Sequence, residues 1–344
     1  MIHILLCPHR LDYGGSQLGL HHWARRLDGS RFRVTVLAMA RGGLSEKFES
    51  CYEVLYDDVD YPGITDHIER LGPDIVHCGP PGGKDFDYIK RAARLAPVTQ
   101  TVMCPRVVGN YDDVAASVVP SRFVLGLQGG RDRVVQIDHP FDPSDYDVRF
   151  GRGHFGLPEG RLIIGSLGNS RKENAHFLDI AGRYRNNDVH FVIKSDRTYR
   201  GLFGRKRITT INRMLTEDEK MSLIDCFDVF LYPTSNEAYG VVFLEAMSRK
   251  VPIITYDDSA NREVVGAGGL FAPAGDIKAM TSLLDRLVAD EAERRSLGEA
   301  GHALFAGRND PERVARKYEA LFESVLGQGR PPRPVDVRKG MEKA

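Results

Sequence analysis

Leu231-Tyr232-Pro233-Thr234-Ser235-Asn236-Glu237-Ala238-Tyr239-Gly240-Val241-Val242-Phe243-Leu244-Glu245-Ala246-Met247 is the stretch on which the reading of this chain turns. Val229 to Tyr232 reads as a buried strand, Pro233 and the polar residues after it as a loop, and Val241 to Ser248 as a helix that starts just past a glycine. The first turn of such a helix carries backbone N–H groups with no partner inside the helix, and the helix dipole adds partial positive charge there. Strand, loop, glycine and helix in this order therefore describe a seat for a phosphate or diphosphate. Glu237 precedes the helix and Glu245 lies a little more than one turn inside it, so two carboxylates flank the seat. Carboxylates repel phosphates but accept hydrogen bonds from diols, which makes the hydroxyls at the two ends of a nucleotide sugar their natural partners.

Working outward, the same alternation of strand and helix recurs on both sides. Upstream, Ile2 to Cys7 is a short apolar run ended by Pro8, followed by the Gly14-Gly15 turn and a helical pattern over Ser16 to Leu27. Arg33 to Ala40, Ile75 to Cys78, Val98 to Met103 and Val134 to Ile137 read as further strands, with a helix over Phe86 to Leu95. Prolines and glycines from His139 to Pro158 mark a boundary, after which the rhythm restarts. Strands are expected at Leu162–Leu167, Val189–Lys194, Val229–Tyr232 and Pro252–Thr255. Helices are expected at Asn174–Tyr184, Glu217–Cys226, Val241–Ser248, Ile277–Ala289, Ala292–Phe305 and Pro311–Leu326. This is an α/β chain of two Rossmann-like domains: residues 1–143, residues 144–310, a helix over 311–326 and a flexible tail over 327–344, which carries five basic and two acidic residues. In open parallel sheets ligands bind beyond the carboxyl ends of the strands, so the chemistry is expected in a cleft that both domains face.

Composition narrows the class. A chain of 344 residues is long for one core and suited to two domains, and 42% hydrophobic with 27% charged residues excludes a disordered, collagen-like or coiled-coil protein. Lys plus Arg (47) balance Asp plus Glu (47), so net charge draws the chain to neither nucleic acid nor anionic lipid. The five cysteines are scattered and form no C-x-x-C pair, which points away from a disulfide framework or zinc site and toward a reducing cytoplasm. Neither a signal peptide nor a transmembrane run is expected.

With these residues in view, the sequence resembles the retaining glycosyltransferases of the two-Rossmann-domain (GT-B) type, specifically the GT4-like group with its E-x7-E signature, here Glu237 to Glu245. The likeness continues through Pro252-Ile253-Ile254-Thr255, Arg262-Glu263-Val264-Val265 and Gly269 to Asp276, over roughly a hundred residues in the family's order. It is weaker over residues 1–140, where Gly14-Gly15 and Pro73 to His77 carry it. The resemblance implies that Glu237 meets the hydroxyls of the transferred sugar and Glu245 the ribose diol. The backbone at Tyr239, Gly240, Val241 and Val242 would hold the diphosphate, with Gly14 and Gly15 assisting. Lys172 matches the family's lysine, whereas Ser166 stands where the family's arginine follows Gly165, and Arg171 is the candidate to supply that charge. Met103 falls where many relatives carry a histidine. The implied reaction keeps anomeric configuration by front-face attack in which the departing phosphate takes the acceptor's proton. Glu237 is then a positioning group, and Lys172, Arg171 and the helix N–H groups of Val241 and Val242 stabilise the leaving charge. The last helix is expected to pack on the first domain. The nucleoside diphosphate sugar is a co-substrate, and no cofactor or metal is expected, because Asp57-Asp58-Val59-Asp60 reads as a solvated acidic loop. A first domain this short points to a small-molecule acceptor.

Other residues invite chemistry and have plainer readings. His21 and His22 are adjacent on a helix and point to different faces; His77 and His139 sit at strand ends as packed or hydrogen-bonded groups; Trp23 belongs to the core; and Arg200 to Arg207 is a charged loop. Two other functions fit the same residues. A sugar-nucleotide epimerase or hydrolase would need no acceptor, and a catalytically silent donor-binding subunit would account for Ser166 and Met103.

Overall fold

The computed structural model describes residues 1–80, 82–168, 171–195 and 207–327, with only the backbone at 171–173. The chain divides into two compact units, Met1–Pro140 with Pro311–Ala344, and Phe141–Asp310. The tail beyond residue 327 and the 200–206 part of the charged loop lie outside the described residues.

In the first unit the order is β1 (Ile2–Cys7), α1 (Gly15–Ala24), β2 (Phe32–Ala38), α2 (Ser45–Glu49), β3 (Glu53–Tyr56), α3 (Ile64–Leu71), β4 (Ile75–Cys78), α4 (Asp87–Ala93), β5 (Val98–Thr101), β6 (Ala116–Val119), α5 (Arg122–Gly126) and β7 (Val134–Gln136). The strands form one parallel sheet in the order β3-β2-β1-β4-β5-β6-β7. Buried on both faces, β1 is apolar from Ile4 onward: Ile4 and Leu6 enter one core with Trp23 and Val36, while Leu5 and Cys7 enter the other with Leu37, Val76 and Ile89. The chain order reverses between β1 and β4, which puts the turn after β1, with Gly14 and Gly15, at the switch point.

The second unit runs β8 (Leu162–Leu167), α6 (Arg171–Arg183), β9 (Val189–Lys194), β10 (Ile208–Ile211), α7 (Glu217–Asp225), β11 (Val229–Tyr232), α8 (Val241–Ser248), β12 (Ile253–Tyr256), α9 (Asn261–Val265), β13 (Gly269–Ala272), α10 (Ile277–Ala289) and α11 (Glu291–Arg308). Its parallel sheet has the order β10-β9-β8-β11-β12-β13, so the reversal lies between β8 and β11. The helices that follow these two strands, α6 and α8, therefore both begin at the switch point. On one face Ile164, Phe191, Leu231 and Ile254 pack under α6 and α10, whose Phe177, Met280 and Leu284 close the core.

The final helix, α12 (Pro311–Gly327), belongs to the first unit. Tyr318 stacks on Trp23 with ring centres 4.1 Å apart, Phe322 fills the space beside it, and Lys317 and Glu319 bond to Asp138 and to the Asp28 N–H. The Tyr318 hydroxyl lies 2.9 Å from Thr101 Oγ1, which also meets His77 Nε2 at 3.0 Å, while His77 Nδ1 meets Thr99 Oγ1 at 2.8 Å. His77 is thus a core residue, and burial lowers its pKa to about 3. Among the described residues no helix is long and apolar enough to cross a membrane.

Folded His77 stays neutral down to about pH 3, whereas the unfolded chain protonates this ring near its ordinary 6.5, so unfolding takes up a proton between those values. Stability from this group is full above pH 6.5 and falls as the pH drops. His77→Gln removes the group, so the stability gap between wild type and variant should narrow with acidification below pH 6.5, by about 1.4 kcal/mol per pH unit. Urea melts at pH 7, 6 and 5 check this; a constant gap would show that the ring is not held neutral.

Candidate functional site

The segment between β11 and α8 is built to expose a helix end. Asn261, fully buried, donates from Nδ2 to the carbonyls of Thr234 (2.9 Å) and Tyr256 (3.1 Å), tying the loop after β11 to the end of β12. Asn236 takes a left-handed turn (φ 63°), a conformation asparagine tolerates. Gly240 then adopts φ 77°, ψ 74° at the N-cap of α8, and no side chain caps the helix. A Cβ here would stand 2.6 Å from the Phe243 ring, so both backbone angle and packing call for glycine. The Phe243 N–H turns back to the Gly240 carbonyl at 2.9 Å, and the N–H groups of Val241 and Val242 are those the helix itself leaves unpaired. By contrast α7, α10 and α11 are capped by the side chains of Thr216, Asp276 and Asp290.

Glu237 is half-buried at the loop's polar end. Its N–H donates to Ser259 Oγ (2.9 Å) and its Oε1 accepts from the Thr234 hydroxyl (3.0 Å), which orients the carboxylate. The Tyr239 ring is buried and its hydroxyl accepts from Asn309 Nδ2 at 2.6 Å. Glu245 occupies the inner side of α8, 3% exposed, with Oε1 accepting from Lys220 Nζ at 2.9 Å. The same Nζ donates to Glu217 Oε2 at 2.7 Å. Burial raises the Glu245 pKa, and the Lys220 ammonium opposes that rise. For Lys220, burial alone favours the neutral amine, but Glu245 and Glu217 outweigh it and its pKa is raised, so the ammonium is charged. Sequence reasoning named Glu245 and missed Lys220. The Lys220–Glu217 pairing is local (i, i+3) and readable, but the partner across 25 residues is set by how α7 lies against α8.

Helix α6 begins at Arg171, and the side chains of Arg171 and Lys172 lie outside the described residues. Gly14 is the N-cap of α1, again with no side-chain cap. The carbonyl of Gly15 meets His139 Nε2 at 2.8 Å, and His139 Nδ1 lies 2.7 Å from the Pro140 carbonyl. The imidazole lies directly on α1 at Gly19, where a Cβ would come within 2.4 Å of Nε2. His139 is thus a strut beneath the glycine turn, and burial lowers its pKa to about 4. His21 and His22 are both buried, with rings 6.2 Å apart and inclined at 59°. The carboxylates of Asp57 and Asp58 accept from the backbone N–H groups of Asp58, Gly63 and Val59. Among the described residues no group of three or more His, Cys, Asp or Glu side chains is arranged to hold a metal ion.

Known proteins place these features in context. Residues 162–303, which span most of the second unit from β8 into α11, match the family model described as "Glycosyl transferases group 1". The O-antigen biosynthesis glycosyltransferase WclY of Escherichia coli is 26% identical over 184 residues, 51% of this chain and 50% of that protein; the chain thus spans about half the length of such curated relatives. Among solved structures, a glycosyltransferase from Rickettsia africae superposes with a TM-score of 0.75 at 14% identity, covering 95% of this chain and 99% of the other. Anabaena HepE in complex with UDP-glucose superposes with a TM-score of 0.73 at 14% identity, covering 94% and 100%. The fold is GT-B, with two Rossmann-like domains.

The contact between Gly19 and His139 predicts a thermodynamic coupling. Gly19→Ala should cost about 1–3 kcal/mol by overpacking, and in a His139→Ala background, where the ring is gone, the same change should cost much less. A double-mutant cycle by chemical denaturation measures it, and additive costs would show that the ring does not rest on Gly19.

Proposed function

We propose that the chain is a retaining, metal-independent glycosyltransferase that moves a sugar from a nucleoside diphosphate sugar to an acceptor hydroxyl. The observation that carries this reading is the start of α8: an uncapped helix end, opened by left-handed Gly240, with Glu237 before it and Glu245 within it, at the strand-order reversal of a sheet matched by a glycosyltransferase family model. The likeness to HepE, whose structure holds UDP-glucose, supports a nucleotide sugar as donor.

In this reading the diphosphate sits on the N–H groups of Val241 and Val242, with Gly14-Gly15, Lys172 and Arg171 adding donors and positive charge. The bond from the anomeric carbon to the diphosphate oxygen breaks, leaving positive charge on the sugar and negative charge on the diphosphate, which the helix end and the cations stabilise. The acceptor oxygen attacks on the face the diphosphate leaves, the new glycosidic bond forms, and the acceptor proton passes to a diphosphate oxygen. Electrons and atoms balance without a protein base. Glu237, held by Thr234 and Ser259, orients the sugar through its hydroxyls. Glu245 accepts from the ribose diol. The first unit supplies the acceptor side, and the acceptor is read as a small molecule. The O-antigen relative adds a saccharide hydroxyl to the acceptors worth assaying. A reducing cytoplasm suits the cysteines, all of them free.

Glu237→Gln should keep donor affinity in a thermal-shift titration while lowering turnover by roughly 10²-fold, the scale of losing one oriented transition-state contact. Full activity in this variant would remove Glu237 from the mechanism. Wild-type turnover should be unchanged by EDTA; loss of activity that added magnesium or manganese restores would replace the metal-free reading. Free sugar or an isomer formed equally well without acceptor would replace transfer by hydrolysis or epimerisation.

A further inference from the structure

A buried carboxylate needs every lone pair it can use to be met, and Glu245 is met on one side only. Oε1 accepts from Lys220 Nζ at 2.9 Å, whereas Oε2 is buried with no hydrogen-bond partner among the described residues. An unpaired buried acceptor costs about 1–3 kcal/mol, and more when charged, so its persistence marks a position that a donor from outside the chain completes. The ammonium is also shared. Lys220 bridges Glu245 and Glu217, two carboxylates on one cation, so the cluster keeps surplus acceptor capacity. Neutral hydroxyls supply donors without adding charge, which fits a diol better than a second cation or an anion.

We propose that Lys220 is the positioning residue of the donor site: its ammonium locks one oxygen of Glu245 against α7 and presents the other oxygen to the ribose diol. This rests on the reading of Glu245 given under Proposed function. Glu217 counteracts Lys220 by drawing the same ammonium and adding like charge beside Glu245, so the two residues on α7 set the ionisation of Glu245 in opposite directions. Tyr146, from the segment that enters the second unit, feels the same two carboxylates and is held above the ordinary phenol range, chiefly by burial. The nearby charges are otherwise engaged: Arg249 pairs with Asp225, Lys250 with Glu299 on α11, and Arg262 on α9 with Asp257.

The sign of the pH effect follows. Glu245 accepts from the diol as a carboxylate, so binding is lost as the pH falls through its pKa. Removing the Lys220 charge moves that loss to higher pH, and removing the Glu217 charge moves it to lower pH.

The experiment measures binding of UDP, GDP and ADP, and of their 2′,3′-dideoxy counterparts, by calorimetry from pH 5 to 8. Wild type, Lys220→Met, Lys220→Arg and Glu217→Gln are compared. Wild type should prefer the diol form of the nucleotide it binds. Lys220→Met should lose that preference, weaken diol binding by at least about tenfold at neutral pH, and shift the acid limb upward. Glu217→Gln should shift it downward, and Lys220→Arg should restore the preference. A merely structural lysine would weaken both ligand forms alike and leave the limb in place, and that result overturns the assignment. If wild type binds none of the six nucleotides, or does not distinguish diol from dideoxy forms, the reading of Glu245 falls first and the role of Lys220 with it.

Discussion

An α-helix cannot satisfy its own first N–H groups, and at α8 the chain has closed off the usual remedy. No side chain caps the helix, and the N-cap is a left-handed glycine whose missing Cβ leaves room for the Phe243 ring. Several other arrangements answer to that choice. Asn261 ties the preceding loop to β12, Thr234 and Ser259 hold Glu237, and Asn309 fixes the Tyr239 hydroxyl, so the loop is braced by side chains whose own hydrogen bonds are internal. The backbone donors of the first turn are thus left to groups other than a capping side chain, which is what the proposed diphosphate seat requires.

Charge placement follows from the same constraint. Acidic groups in the first turn of a helix normally stabilise it, yet α8 has none there, whereas α7 carries Glu217, Asp218 and Glu219. A carboxylate in that turn would compete with an anionic ligand for the exposed N–H groups. The acid that α8 does carry, Glu245, stands deeper and is balanced by Lys220 from α7. Ion pairing of this kind is a poor source of stability, because desolvation offsets much of the Coulomb gain. Its value is geometric: the cation fixes which carboxylate oxygen faces inward.

Much of this was legible in the sequence because the second unit is locally consistent. β8, β9, β11, α8 and α10 fall where apolar runs and caps put them, since each strand is buried on both faces and each helix begins at a clear signal. The elements that escaped reading are short or half-covered. β3 (Glu53–Tyr56) and β10 (Ile208–Ile211) are edge strands whose mixed polarity carries little periodic signal, and β6 (Ala116–Val119) is only four residues of small and β-branched side chains. Within the site, Glu237, Glu245 and Gly240 announce themselves by spacing, whereas Lys220, Asn261 and Asn309 act across tertiary contacts of 25, 27 and 70 residues. No local pattern encodes such pairings.

The glycine turn of the first unit shows a different solution to holding a helix end. At α8 the loop is braced from its own unit's next strand, but the turn before α1 is braced from beneath by an imidazole. His139 reaches Gly15 only because Gly19, mid-helix, has no side chain. Glycine inside a helix costs about 1 kcal/mol relative to alanine, so the clearance is bought with helix stability. The imidazole is also constrained electrically, since both of its nitrogens face carbonyl oxygens while burial disfavours the protonated ring that alone could donate to both. One N–H must therefore serve one carbonyl at a time. Whichever tautomer prevails, the strut couples the backbone of the turn to the segment that leaves the first unit at Pro140.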